Sequence, residues 1–294
     1  MDRPYHARDV EAGFGDEGRP VPLSDTDSLV DGISKAVRDA GEVLMEHLRQ
    51  GISVFRKNDH ELVTSADLAS QKLLRERLCG LRPDAAFLGE EDWDGFIPDP
   101  PLWVVDPLDG TNNYAHGFPV FCVSVALCDE NGLLAAAIYD PTRGELFTAA
   151  RDGGALLNGS PVAASDVAEL DRALVCTGFP YHRSQVDPGL ELAPLVYFLG
   201  RAQGIRRAGS AALDLAYVAC GRADGFYEQH LKPWDMAAGA LLVVEAGGRV
   251  GAFEGGDWVL GSTGIVASGP NLFDLMRAGA SVRESTGPMI GSAD

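Results

Sequence analysis

Two carboxylates stand out when this 294-residue sequence is searched for chemistry: Asp106 and Asp109, in Asp106-Pro107-Leu108-Asp109-Gly110-Thr111. They follow Leu102-Trp103-Val104-Val105, an apolar run that reads as a buried strand. Acids three residues apart at the end of such a strand can converge on one point. Pro107 and Gly110 fix the turn and let backbone approach a ligand closely. A hard, oxygen-only donor set of this kind suits magnesium or manganese better than zinc. Asp-Gly is also a common turn dipeptide, so the segment taken alone is better described as a charged strand end.

Other acids occupy comparable settings. Glu90 and Glu91 follow the strand-like Ala86-Phe87-Leu88, where a Glu pair is ordinarily solvated. Asp235 falls in the first turn of a helix after Pro233 and Trp234, where an acid compensates the helix dipole. Thr64 and Asp67 have the spacing of a capping box. The five cysteines are scattered with no C-x-x-C pair and read as buried reduced thiols. The histidines show no metal-ligand spacing, and His116 reads as a structural or rim residue.

The elements that must position these residues are legible from periodicity. Residues 1 to 26 are rich in acids, Gly and Pro and read as a mobile tail. Leu29, Ile33, Val37, Leu44 and Leu48 predict a long helix ending near Gly51. A short strand around Val54-Phe55 follows. A second helix begins after Thr64, with Leu68, Leu74 and Leu78 as its buried stripe. From about residue 86 the period changes to that of strands, and residues 120 to 150 read as an antiparallel meander. Asn131-Gly132, Thr142-Arg143-Gly144 and Asn158-Gly159 are its turns. After about residue 165, strand-like Leu174-Val175-Cys176 and Gly264-Ile265-Val266-Ala267 alternate with helices over Ala211 to Cys220, Trp234 to Ala246, and Asn271 to Ala278, the last capped by Asn271. The expected class is therefore α/β (α+β), with an antiparallel α+β half over residues 27–164 and an α/β half over residues 165–294.

The formal net charge of -19 argues against a nucleic-acid backbone or an anionic membrane surface as partner. It does not exclude a phosphorylated substrate, because metal ions held by carboxylates reverse the local sign. The amino terminus lacks the apolar run of a signal peptide. The longest strongly apolar stretch, near Ala237 to Val244, is too short to span a bilayer. A soluble, cytoplasmic protein is expected.

Individually modest, the acidic segments gain meaning from their order. Leu62-Val63-Thr64-Ser65-Ala66-Asp67, Phe87-Leu88-Gly89-Glu90-Glu91, Trp103 to Tyr114, and Trp234-Asp235-Met236-Ala237-Ala238-Gly239 together resemble the signatures of the inositol monophosphatase family. The resemblance covers roughly residues 29 to 280. It implies a layered α-β-α-β-α sandwich of the sugar-phosphatase type, usually a homodimer, with two or three magnesium ions, or manganese in their place. It also implies that Glu90, Asp106, Asp109, Asp235 and the carbonyl of Leu108 bind metal, and that Thr111 and Asp67 orient and activate the attacking water. Glu91 would support the site through water or a neighbouring side chain, and lithium inhibition is a family expectation. Four converging carboxylates make such a site costly without cations, since each like-charged pair near 4 Å repels by about 4 kcal/mol at an effective dielectric of 20.

The second half should select the substrate. By resemblance Glu228 meets ring hydroxyls, and Gly209-Ser210-Ala211 lines the same pocket with Ala211 beside the substrate. Asp109, Gly110, Thr111 and Asp235 complete the substrate-binding set, the Gly110 and Thr111 amides donating to phosphate oxygens. Inositol 1-phosphate is the expected substrate. Fructose 1,6-bisphosphate, histidinol phosphate and 3'-phosphoadenosine 5'-phosphate are the alternatives, because Arg206, Arg207 and Lys232 stand near enough to bind a second phosphate. A non-catalytic regulatory or interaction module on the same fold is the reading from another class.

Overall fold

A computed structural model of the chain describes residues 25–51, 54–56, 62–179 and 192–283. The expected acidic tail lies outside them except for its last two residues, which open the first helix. That helix, α1 (Asp25–Gln50), packs against α2 (Ser65–Leu81), and between them β1 (Val54–Arg56) pairs antiparallel with β2 (Leu62–Thr64). Next comes a seven-stranded sheet in sequential order: β3 (Ala86–Gly89), β4 (Leu102–Asp109), β5 (Cys122–Asp129), β6 (Gly132–Asp140), β7 (Glu145–Ala150), β8 (Gly154–Leu157) and β9 (Ser160–Pro161). It is antiparallel except where β3 runs alongside β4. A mixed five-stranded sheet follows, formed by β10 (Leu174–Thr177), β11 (Gly204–Arg206), β12 (Gly225–Gln229), β13 (Arg249–Ala252) and β14 (Gly264–Ser268), in the order β11-β10-β12-β14-β13.

The alternation of side chains along β4 shows why the layers stack as they do. Trp103 and Val105 pack with Ile33, Val37, Leu44, Leu74 and Leu78 of α1 and α2. Leu102 and Val104 face the other way, into a core shared with α5 (Ala211–Ala219) and α6 (Pro233–Glu245). The far faces of those helices meet Cys176, Phe226, Ile265 and Ala267 of the five-stranded sheet. Val175, Tyr227 and Val266 point away from them toward α4 (Ala193–Leu199) and α7 (Phe273–Ala280). This is the five-layer sandwich that the sequence leads one to expect. Among the described residues no helix is long and apolar enough to cross a membrane.

Being held between two sheets explains the composition of α5 and α6, which are apolar nearly all round and rich in small residues. At Gly239 an added Cβ would stand 2.4 Å from the Leu215 Cβ, so glycine is what lets α5 and α6 approach. Two local expectations are corrected. Leu68 is 51% exposed, because the buried stripe of α2 runs through Ala66, Ser70, Gln71, Leu74 and Leu78, and Leu68 falls a third of a turn away. Asn271 does not cap α7, whose N-cap is Leu272; instead its side-chain amide donates to the Asp166 carbonyl at 3.2 Å.

Two glycines separate the effect of packing from that of propensity. Gly239→Val overpacks the α5–α6 contact and should cost about 1–3 kcal/mol in urea unfolding. Gly80→Ala, on the exposed side of α2 with no atom within 4 Å of the new Cβ, should be stabilising by about 0.5–1 kcal/mol.

Candidate metal centre and substrate pocket

In a regular strand, residues three apart point to opposite faces. Asp106 and Asp109 escape this because the β4–β5 register slips between them: Asp106 pairs with Ser124 and Asp109 with Cys122, so β4 carries one extra residue. The bulge turns both carboxylates toward α5 and α6, while Leu108 stays in the core under α1 and α2. Its backbone is pinned on each side. The Leu108 N–H donates to Asp106 Oδ1 at 2.9 Å, and the Ser70 hydroxyl of α2 donates to the Pro107 carbonyl at 2.8 Å. Gly110 then takes φ +94°, and a Cβ there would come within 2.9 Å of the Val120 carbonyl, so glycine is required twice over. The short helix α3 (Thr111–Ala115) starts immediately after it.

The third acid arrives from the other half. Asp235 occupies the first turn of α6, and its Oδ2 accepts the Lys232 N–H at 2.7 Å. Ligand oxygens of Asp106, Asp109 and Asp235 all lie within 4.8 Å of one another. Asp106 is buried and the other two are half-buried. Burial, followed by the charges of Glu90, Asp109 and Asp235, pushes the Asp106 carboxyl well above its usual range. Burial and the Asp109 charge do the same to Asp235. Asp109 is raised by burial while hydrogen bonds from Ser210 and the α5 amides pull it back. Among the described residues, no Lys or Arg forms an ion pair with any of the three. Such an all-oxygen, anionic cluster fits a hard divalent cation.

Glu90 follows β3 on a single 3-10 turn, Glu90–Asp92, and stands outside the three-acid cluster, although its charge reaches Asp106 and Asp235. The adjacent Glu91 N–H donates to Gln71 Oε1 at 3.1 Å. Thr111 Oγ1 lies 3.2 Å from Asp67 Oδ1 and 3.0 Å from the Leu108 carbonyl; its single proton serves one acceptor at a time. Asp67 is fully buried and has two jobs. Its Oδ2 accepts the Thr64 N–H at 2.8 Å and the Thr64 hydroxyl at 2.5 Å, closing a capping box on α2, while Oδ1 faces Thr111. Burial raises this carboxyl against the hydrogen bonds from Thr64.

Two residues that the sequence motifs contain, Ser210 and Asn113, hold the site through contacts that the sequence does not show. Ser210 caps α5, and its hydroxyl donates to Asp109 Oδ2 at 2.6 Å beside the Ala212 N–H at 2.8 Å. One Asp109 oxygen is thus committed to α5, which leaves the other to face a cation. The Asn113 amide donates to the Val120 and Ala208 carbonyls at 2.7 and 2.9 Å, tying α3 to the loop before α5. Ser210 is expected from the sequence only as part of a pocket-lining element, because its partner Asp109 lies about a hundred residues away.

On the substrate side, Ala211 opens α5 and is buried, and half-buried Glu228 comes from β12. The Glu228 carboxylate rests against Gly178, where a Cβ would come within 2.0 Å of it. Burial, then the charge of Asp214, pushes Glu228 well above its usual range, with Arg207 opposing. Asp214 is the lone acid of the apolar α5; it is 2% exposed, and its Oδ1 has no hydrogen-bond partner among the described residues. Of the three basic residues expected to meet a second phosphate, only Arg207 bears on this pocket. Arg206 is exposed and folds back on the Ile205 carbonyl, and the Lys232 ammonium sits 4.7 Å over the Trp93 ring. His116 is an exposed C-cap of α3, away from the cluster chemistry.

The chain as a whole is similar to known proteins. The sequence profile of the inositol monophosphatase family matches residues 25–285. The Nus factor SuhB of Xylella fastidiosa is 44% identical over 227 residues, covering 76% of this chain and 81% of that protein. The inositol-1-monophosphatase of Rhizobium meliloti is 42% identical over 241 residues, covering 82% of this chain and 88% of that protein. Among solved structures, the inositol monophosphatase from Anabaena superposes with a TM-score of 0.78 at 37% identity, covering 87% of this chain and 96% of that one.

Two substitutions probe buried polar groups of the site. Ser210→Ala removes one of the donors on Asp109 and should weaken magnesium binding about tenfold or more by calorimetry; unchanged affinity would contradict the role. Burial pushes the Asp214 carboxyl up to about 8, so the stability it contributes is complete below the ordinary value of 3.8 and is lost as pH rises through about 8. Asp214→Asn stays neutral, and its melting temperature should therefore fall less than that of the wild type between about pH 5 and about pH 8.

Proposed function

The chain belongs to the inositol monophosphatase family, and on that premise we propose that it hydrolyses a small polyol phosphate monoester, inositol 1-phosphate foremost, with water as the nucleophile. The observation that carries the reading is the convergence of Asp106, Asp109 and Asp235 within 4.8 Å, with no ion-pair partner among the described residues, beside the Thr111–Asp67 pair. Glu90, Asp106, Asp109, Asp235 and the Leu108 carbonyl would hold magnesium, with manganese as a substitute. Bound there, the metal supplies positive charge and Lewis acidity for phosphoryl transfer.

The chain's own groups supply the rest. Thr111 Oγ1 accepts a hydrogen bond from the attacking water and turns its own proton toward Asp67 Oδ1. Burial makes Asp67 a stronger base than a free aspartate, so it can hold that proton while the new P–O bond forms. The attacking water's proton replaces the one that Thr111 gives to Asp67, the ester P–O bond breaks, the leaving alkoxide takes a proton from solvent water, and Asp67 returns its proton to solvent. The amides of Gly110 and Thr111 steady the phosphate oxygens. Ala211 and Glu228 meet the alcohol portion, and hydroxyls on that portion offer the donors that a desolvated Glu228 lacks. The acids around Glu228 favour a neutral polyol over a second phosphate, since Lys232 and Arg206 are turned to other partners. A cytoplasmic homodimer completes the reading.

The competing reading is a non-catalytic regulatory or interaction module on the same fold, and relatives such as that of Xylella fastidiosa carry the name Nus factor. Its acidity disfavours direct contact with nucleic acid. One assay separates the two. Wild-type protein should release phosphate from inositol 1-phosphate only with magnesium, and Asp109→Asn should lose about 10²–10³ in kcat or more. In a panel with fructose 1,6-bisphosphate, histidinol phosphate and 3'-phosphoadenosine 5'-phosphate, a tenfold advantage for any of these would replace the substrate. Absence of magnesium-dependent release from every ester would favour the non-catalytic role.

A further inference from the structure

Glu90 is the ligand candidate with the least support from regular structure. It follows β3, an edge strand of the seven-stranded sheet, and sits on a turn of three residues. From the α2 side that turn is held by Gln71, which accepts the Glu91 N–H and donates to Asp92 Oδ1 at 3.1 Å, and by Arg75, which pairs with Asp92. Nothing in those contacts relates Glu90 to Asp235, which comes from the other half of the chain.

Trp93 makes that connection. Its ring meets the Trp234 ring edge-to-face, with centroids 5.3 Å apart and planes at 79°. The Lys232 ammonium stands 4.7 Å above the Trp93 ring centroid. The indole N–H donates to the Phe96 carbonyl at 3.1 Å, which holds the ring in place. Lys232 and Trp234 flank the start of α6, and the same Lys232 gives its backbone N–H to Asp235. Trp234 is 4% exposed, and its carbonyl accepts the Ser124 hydroxyl of β5 at 3.4 Å, so that side of the contact is anchored in the core.

We propose that Trp93 and Lys232 are positioning residues, a clasp that fixes the Glu90 turn against the first turn of α6 and thereby sets the affinity of the cation site that uses Glu90. The inference rests on the reading of Glu90 and Asp235 as metal ligands. Edge-to-face aromatic contact and cation–π attraction are both directional, so together they specify distance and orientation where a plain apolar contact would specify neither. A carboxylate displaced by a fraction of an ångström no longer completes a hard-cation site, and partners of ligand-bearing segments commonly govern affinity by 10–100-fold. The clasp also assigns Lys232 a task that leaves it unavailable for a second phosphate.

The test is manganese binding to the full chain without substrate, followed by the electron paramagnetic resonance of free Mn²⁺. Glu90→Gln marks the component that depends on Glu90, and Asp235→Asn marks the component of the three-acid cluster. Trp93→Ala should weaken the Glu90 component about tenfold and leave the other in place. Trp93→Phe should restore most of the loss, and Lys232→Met should reproduce part of it with the ring intact. If Trp93→Ala fails to fold, the Lys232→Met and Trp93→Phe titrations decide in its place. Titrations of the clasp variants that overlay the wild type would overturn the inference, as would an equal loss of both components. Because no hydrolysis is measured, a protein that binds manganese this way but releases no phosphate refutes the proposed reaction and keeps the clasp. If Glu90→Gln binds as the wild type does, both the Glu90 assignment and the clasp fall.

Discussion

Three carboxylates with ligand oxygens within 4.8 Å of one another, and with no ion-pair partner among the described residues, set the terms for the rest of the molecule. At an effective dielectric of 20 each like-charged pair at about 4 Å costs about 4 kcal/mol, so no short segment would hold this arrangement by its own propensity. The fold holds it by distributing the burden. Asp106 is tied to its own backbone at Leu108, Asp109 to the N-terminus of α5, and Asp235 to the N-terminal turn of α6. The first bond lies in the seven-stranded sheet and the other two in the helix layer beside it. The repulsion is therefore carried by the packing of the layers rather than by any one loop.

That dependence explains the unusual layer between the sheets. Helices α5 and α6 touch a sheet on each side, so they are built from small and apolar residues with glycine where they cross. Their N-terminal ends emerge beside the β4 bulge, where partial positive charge and free amides are of use. A bulge in a central strand ordinarily weakens pairing. Here Ser70 and the Leu108–Asp106 bond compensate for the lost ladder bonds, and the gain is that two acids share one face.

The pocket beyond the acids is built on the same economy of charge. Glu228 is pressed against Gly178 and faces the buried Asp214, with Arg207 as the basic group bearing on both. Crowded acids of this kind discriminate against anions and favour hydroxyl donors. In the proposed reaction, selectivity for the alcohol portion would then arise from the second sheet and α5, while the phosphate would be handled by β4, α3 and α6.

Much of this was legible in the linear chain. Residue type and local order alone identified the acids that suit a hard cation, the capping box at Thr64 and Asp67, the long first helix and the meander. The strand, turn and helix signals around Asp106 and Asp235 needed no knowledge of distant segments, and the order of four motif blocks indicated the family that the match over residues 25–285 shows. Periodicity misplaced Leu68 and the cap of α7, where a single residue or a competing side-chain bond decides. What only the tertiary structure decided is how those acids are aimed. The register slip that turns Asp109, the Ser210 hydroxyl that engages one of its oxygens, the Trp93 ring that claims Lys232, and the position of Glu90 outside the three-acid cluster all join segments far apart in sequence. The physical reason is that ligand type is a property of single side chains, whereas convergence is fixed to a few tenths of an ångström by sheet register and layer packing.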